Sequence, residues 1–300
     1  MESIVKSKST GIYHIGAFLM VSAWGISFIS TKELLNNGLN PTEIYLLRFT
    51  LAYLLLIGVT YKQIFARSLK DEFLFFICGL CGGSIYFITE NTAIGYTLVS
   101  NVSLIVTTTP LLTALLMGLI YKNERISAVA VTGSVIAFIG VGFVIFNSSF
   151  KLAVNPLGDI LSLCAALSWA IYAVVLKSLN GKYDTLFMTR KTFFYGILTC
   201  IPFFLLQPSA ITADVLLRPA VIYNLLFLGI FASMLCYILW NVTVKNLGAI
   251  RVSNYLYFTP ITTLLISAVY LGDRITIIGI AGFALILGGV ILSEKLRRQL

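Results

Sequence analysis

The stretch WGISFISTK, residues 24–32, returns as WAIYAVVLK at residues 169–177. Each copy opens on a tryptophan, runs through apolar and small residues, and closes on a lysine eight positions later. The echo continues along the chain. TTTP at 107–110 answers YFTP at 257–260, and YKNERIS at 121–127 answers YLGDRIT at 270–276. Arg48 corresponds to Arg190 and Asn91 to Asn241, while Gly133 and Gly140 follow at the spacing of Gly282 and Gly289. An ordered series of this kind marks an internal duplication.

The duplicated unit is built for a membrane. Of 300 residues, 58% are hydrophobic and 11% charged, and the mean hydropathy is +0.95. A soluble domain carries roughly 25% charged residues. Apolar runs long enough to cross about 30 Å of hydrocarbon as helix predict ten spans: 13–34, 42–62, 73–95, 98–120, 127–147, 156–178, 186–207, 220–244, 249–271 and 275–293. Backbone facing lipid must satisfy its own polar groups, and the alternation of a barrel strand is missing, so the expected class is all-α integral membrane protein. The first run lacks a cleavage-site pattern and reads as a permanent helix. The connections are too short for a soluble domain.

The net charge of +9 does not point to nucleic acid. With the N-terminus placed in the cytoplasm, thirteen basic residues beyond the spans or at their ends fall inside and only Lys151, Arg218 and Arg274 fall outside. That asymmetry obeys the positive-inside rule. It predicts a multi-pass protein of the cell (plasma or inner) membrane with both termini cytoplasmic. Five spans per half is an odd number, so the second half, 149–300, enters the bilayer inverted relative to the first, 1–148. Inverted five-helix repeats are the architecture of secondary transporters, which hold solute near the midplane and alternate its access.

With these residues in view, the chain resembles the EamA branch of the drug/metabolite transporter superfamily. The resemblance rests on Trp24 to Lys32, Arg48-Phe49, the proline of the fourth span, and Glu124-Arg125-Ile126-Ser127 followed by Gly133 and Gly140. It covers both halves, from about residue 12 to 293. The second half departs from it in Asp273, which replaces the glutamate, and in Lys191 after Arg190. The resemblance implies ten helices in two inverted repeats, cytoplasmic termini, and export of amino acids or other small metabolites.

Ionisable residues at bilayer depth face the protein interior or a water-filled cavity. Lys32, Arg48 and Glu90 share an outer layer, and Lys177, Arg190 and Lys191 an inner one, where Trp240 stands opposite Glu90. Lys32 either snorkels to the interface or pairs with Glu90. Lys32, Arg48, Lys177 and Arg190 are therefore candidate gating or charge-pair residues, with structural bonding to helix-end carbonyls the alternative for the arginines. Glu90 is the sharper candidate. A carboxylate in hydrocarbon keeps its charge only beside a compensating cation, so it is suited to carrying a proton, holding a solute ammonium or forming a permanent ion pair.

Pro110 and Pro260 lie in mid-span and each removes a backbone donor, which predicts paired helix kinks. Equivalent mid-membrane breaks are the usual pointer to a binding site. Thr108 and Asn101 beside the first break and Asn254 beside the second are polar candidates. Trp24 and Trp169 lie deep in their spans, away from the interfacial belt. With Tyr86, Tyr172, Tyr237 and Trp240 they are candidates to line a solute cavity, with plain packing as the alternative. His14 reads as interfacial. Cys78 and Cys81 read as small packing residues rather than a metal pair, since no histidine or carboxylate flanks them.

The leading reading is thus a secondary transporter of small organic metabolites, chiefly an exporter of amino acids or related compounds. Uptake or exchange of anionic metabolites, such as nucleotide sugars or phosphate esters, is the second reading. A non-transporting receptor or scaffold is the third. No GxxxxGK[ST] motif is present, and one histidine with one buried glutamate is too little for catalysis, so no enzyme, cofactor or metal is expected. The expected partners are a small-molecule substrate and the lipid bilayer, without nucleic acid. A monomer suffices because both repeats are in one chain, and a dimer is compatible.

Overall fold

The structure, a computed structural model, describes residues 2–97, 99–121, 128–145, 155–206, 209, 211–270 and 275–295. Their side chains are described except at 2–10, 99–101, 130, 145, 267–270, 294 and 295. The signature stretches 122–127 and 271–274 lie outside the described residues.

Among the described residues every regular element is helical. In the first half these are α1 (Glu2–Asn36), α2 (Pro41–Thr60), α3 (Leu69–Gly79), a π-helical segment (Leu80–Ile85), α4 (Tyr86–Tyr96), α5 (Val99–Val106), α6 (Thr109–Ile120) and α7 (Ala128–Ile145). In the second half α8 (Pro156–Leu179), α9 (Thr185–Leu205), the short α10 (Ala213–Leu216), and α11 (Pro219–Leu226) lead into a second π segment (Phe227–Leu235). Then come α12 (Cys236–Leu247), α13 (Ala249–Asn254), a 3-10 turn (Tyr255–Phe258), α14 (Thr259–Tyr270) and α15 (Ile277–Lys295). Among the described residues, helix occupies part of each predicted segment. Six are long and apolar enough to cross a bilayer: Gly11–Asn36, Pro41–Thr60, Leu69–Tyr96, Val102–Ile120, Pro156–Leu179 and Pro219–Leu247. Val131–Val144 and Ile277–Ser293 are shorter apolar helices.

Local sequence sets the helix starts. Asn40 accepts from the Glu43 backbone N–H at 2.9 Å while Glu43 accepts from the Asn40 N–H at 2.8 Å, a reciprocal cap with Pro41 at the first helical turn of α2. Asn155 with Pro156, and Asp184, start α8 and α9 in the same spirit. Both proline-linked interruptions appear, one turn before the prolines. α5 stops at Val106 and α6 begins at Thr109; α13 stops at Asn254 and α14 begins at Thr259. Proline cannot donate to the preceding turn and its ring crowds the carbonyl there. At the first break three consecutive threonines take up carbonyls: Thr107, Thr108 and Thr109 donate to Leu104, Ile105 and Val106 at 2.7, 2.7 and 2.6 Å.

The two halves do not pack as separate bodies. α2 and α3 lie on α9, α4 and α6 on α8, α1 on α12 and α14, and α7 runs along α15. The α7–α15 contact explains the repeated glycines. A Cβ on Gly133 would stand 2.6 Å from the Gly289 carbonyl oxygen, and one on Gly140 2.7 Å from that of Gly282. The reverse additions are as tight, at 2.5 and 2.7 Å. Backbones this close admit only hydrogen at Cα. The outer surface is apolar, with Leu119 76% and Ile277 85% exposed, as lipid contact requires.

Candidate functional site

α4 and the break at 107–108 face a small cavity shared with α1, α5, α8 and the α13–α14 break. Four sequence candidates line it: Trp24, Tyr86, Glu90 and Trp169. Glu90, 7% exposed, accepts a 2.6 Å hydrogen bond from the Tyr86 hydroxyl one turn earlier. Phe87 and Phe28 supply further aromatic wall, and Ser103, Thr107 and Thr109 supply hydroxyls. The cavity measures about 40 Å³. That is room for water and too little for an organic solute, so admission of one requires the walls to part.

The remaining aromatic candidates stand behind this wall. Tyr172, Tyr237 and Trp240 are fully buried. Trp169 packs edge-on against each of them, with centroid distances of 5.2, 5.5 and 5.2 Å. Tyr172 donates to Asn241 at 3.2 Å and Tyr237 to the Gly82 carbonyl inside the first π segment. Trp240 keeps its indole N–H without a partner among the described residues. Thr108 turns its hydroxyl to Ile105, and its two neighbours line the cavity instead. Asn254 donates to Ser293 at 3.1 Å, on the α15 side. The side chain of Asn101 lies outside the described residues.

The charged candidates divide. Lys32 is half-buried, and among the described residues no ion pair joins it to Glu90. Lys177 sits 4.1 Å over the Tyr121 ring. Arg190 donates to the carbonyls of Thr60 and Gln63, closing the C-terminal end of α2. Lys191 pairs with Glu72, which also accepts from Tyr195 and from the Ala66 backbone N–H. Arg48 is 1% exposed and donates through Nε to Ser233 at 2.8 Å, inside the second π segment.

On the face where α1 begins, Arg190, Lys191, Glu72 and Tyr195 line a second and larger cavity, of about 220 Å³, with Tyr53 and Phe194 among its aromatic walls. The α2–α3 connection is tied to α9 by Arg190 and Lys191, and to the α8–α9 turn by Asp71. Asp71 accepts from Tyr183 at 2.9 Å and Lys182 at 3.1 Å. Burial, then the Asp71 carboxylate, push the Tyr183 phenol above its ordinary value, so it remains a donor. The smaller cavity is lined on α1 by Trp24, Ser27 and Phe28, the last four residues nearer the Asn36 end than Trp24.

Comparison with known proteins is consistent over both halves of the chain. The model of the EamA-like transporter family matches residues 11–146 and again 156–294. An uncharacterized transporter of Archaeoglobus fulgidus is 30% identical over 281 residues, covering 93% of this chain and 97% of that protein. A protein of Escherichia coli K12 named "Probable amino-acid metabolite efflux pump" is 26% identical over 285 residues, covering 92% and 93%. A crystal structure at 18% identity superposes with a TM-score of 0.77 over 97% of this chain and 98% of the other, a likeness of fold.

Proposed function

The chain belongs to the EamA-like transporter family, and on that premise we propose that it exports amino acids or related amine-bearing metabolites across the cell membrane. In this reading ten spans form two inverted five-helix repeats with cytoplasmic termini, and the solute reaches the central cavity from one face at a time. The observation that carries the solute class is Glu90: a buried carboxylate on the wall of an aromatic cavity, beside a paired helix break. A carboxylate receives an ammonium directly, and the faces of Trp24, Trp169 and Tyr86 favour the same cation. The name of the Escherichia coli relative supports export of amino-acid metabolites.

An anionic metabolite is less well served. The donors it would use, Arg190 and Lys191, are engaged by the end of α2 and by Glu72. The test is exchange from proteoliposomes loaded with a mixed pool of amino acids, nucleotides and sugar phosphates, with mass spectrometry of what leaves. Loss of amino acids that Glu90→Gln abolishes, in protein still inserted in the membrane, is the expected result. Selective loss of phosphorylated compounds, or amino-acid efflux that Glu90→Gln leaves intact with an unchanged pH profile, would overturn it.

A further inference from the structure

Arg48 and Glu90 are both buried and neither has an ion partner among the described residues. Buried charges are ordinarily paired, because leaving water is costly for each. The guanidinium of Arg48 offers five N–H donors. Nε is used on Ser233, while Nη2 has no partner among the described residues. The rest of the group lies on aromatic faces, 4.7 Å from the Phe87 ring centroid and 5.5 Å from that of Phe49. Its repeat counterpart, Arg190, directs both Nη1 and Nη2 to helix-end carbonyls. A purely structural role accounts for Arg190 and leaves Arg48 underused.

Phe87 is the connection between the two charges. Its ring lies under Arg48 and also lines the cavity, and Glu90 projects into that cavity one turn further along α4. The cavity must enlarge to admit a solute, and displacement of this one ring would both enlarge it and expose Nη2. We propose that Arg48 is the carboxylate-binding residue of the solute site, shielded by Phe87, and that the transported solute is a zwitterion. Its carboxylate meets Arg48 while its ammonium meets Glu90.

Charge balance is the reason to prefer a zwitterion to a simple amine. Arg48 and Glu90 sum to zero, and a solute of zero net charge with two opposite ends leaves both compensated. An amine alone would neutralise Glu90 and leave Arg48 as an uncompensated buried cation; an acid alone would do the reverse. Arginine also matches a carboxylate in two parallel hydrogen bonds, which fixes the solute's orientation. The inference rests on the amine reading of Glu90 given above.

Three probes separate the two readings: L-phenylalanine, L-phenylalaninamide, which lacks the carboxylate charge, and 3-phenylpropionate, which lacks the amine. Each is loaded into proteoliposomes holding the full-length chain, and efflux is compared at equal concentration. The wild type is expected to favour phenylalanine over either single-ended probe by about tenfold or more, the scale of one lost charge-assisted contact. Arg48→Gln should erase the advantage over the amide by lowering phenylalanine efflux, while amide efflux is not lowered because no uncompensated cation is left beside it. Arg48→Lys, which keeps the charge and loses the fork, should weaken the advantage without abolishing it. Wild-type efflux that does not prefer phenylalanine to the amide overturns the proposal without any variant. So does an equal loss of both probes in Arg48→Gln. If the amide moves and depends on Glu90 without that preference, only the role of Arg48 fails. If neither amine probe moves, both readings fail.

Discussion

Trp24 and Trp169, at equivalent positions of the two repeats, meet edge to face with ring centroids 5.2 Å apart and planes at 85°. The duplicated motif thus brings its two copies together at the wall of the cavity. The two indoles are not equally held. Trp24 donates through Nε1 to the Ala232 carbonyl at 2.9 Å, in the second π segment, whereas Trp169 Nε1 has no partner among the described residues.

That asymmetry yields a prediction. Trp24→Phe removes a hydrogen bond and leaves a buried carbonyl in a π segment short of a donor, at a cost of roughly 1–3 kcal/mol. Trp169→Phe removes no hydrogen bond and loses only ring area. Thermal unfolding of the purified variants should place Trp24→Phe below Trp169→Phe. Equal melting temperatures would show that the Ala232 contact contributes nothing.

The glycine contacts between α7 and α15 give a second. Gly140→Val would set a side chain against the Gly282 carbonyl and the Ile286 backbone nitrogen, 2.7 and 2.8 Å from its Cβ. Overpacking of this kind costs about 1–3 kcal/mol or more. Gly142→Ala, two residues on, meets nothing within 4 Å and should be neutral or gain up to about 1 kcal/mol of helix propensity. Fluorescence-detected size-exclusion profiles after heating would read both. A Gly140→Val protein as heat-resistant as Gly142→Ala would mean that the helices separate easily.

The contrast between what was readable in the chain and what was not has a physical cause. Depth is legible, because length and apolarity fix it: Glu90, Trp24 and Trp169 all line one cavity. The breaks are legible from Pro110 and Pro260, since proline cannot donate. Rotation about each helix axis is not. Lipid outside and apolar core inside look alike in composition, so nothing in the local pattern says that Thr107 and Thr109, rather than Thr108, line the cavity. Nor does it say that Tyr172, Tyr237 and Trp240 stand behind the wall. The π segments at 80–85 and 227–235 leave only a faint trace, Gly82-Gly83 and Gly229, because they depend on what packs against them. A Cβ on Gly82 would touch the Tyr172 ring at 2.5 Å, a contact invisible until the two halves are assembled.

The threonines at the first break make a third prediction. Thr109 Oγ1 donates to Val106 at 2.6 Å and contacts the Ala166 carbonyl at 3.4 Å. Thr109→Val keeps the shape and strands the Val106 carbonyl, which should lower stability by about 1–2 kcal/mol. Thr109→Ser keeps the hydroxyl and should recover most of it. Denaturation of both variants decides whether the hydroxyl or the methyl matters.

The basic cluster at the α1-start face separates a structural role from a transporting one. Arg190 spans the carbonyls of Thr60, the last residue of α2, and of Gln63 beyond it, and Lys191 and Tyr195 share Glu72. If these groups serve to tie the α2–α3 connection to α9, Arg190→Gln should lower the melting temperature, each charged hydrogen bond contributing roughly 1.5–3 kcal/mol. The KM for an amino-acid solute should change little, since no Arg190 atom lines the central cavity. The Glu72–Lys191 pair permits a stricter check. Glu72→Gln leaves the buried Lys191 uncompensated and Lys191→Met leaves the half-buried Glu72 so, and the double variant should therefore be less destabilised than the sum of the two singles. Additive losses would show that the pair is not coupled. A rise in KM for a phosphate ester in Arg190→Gln, with stability unchanged, would instead return these bases to the solute path and revive the anionic reading.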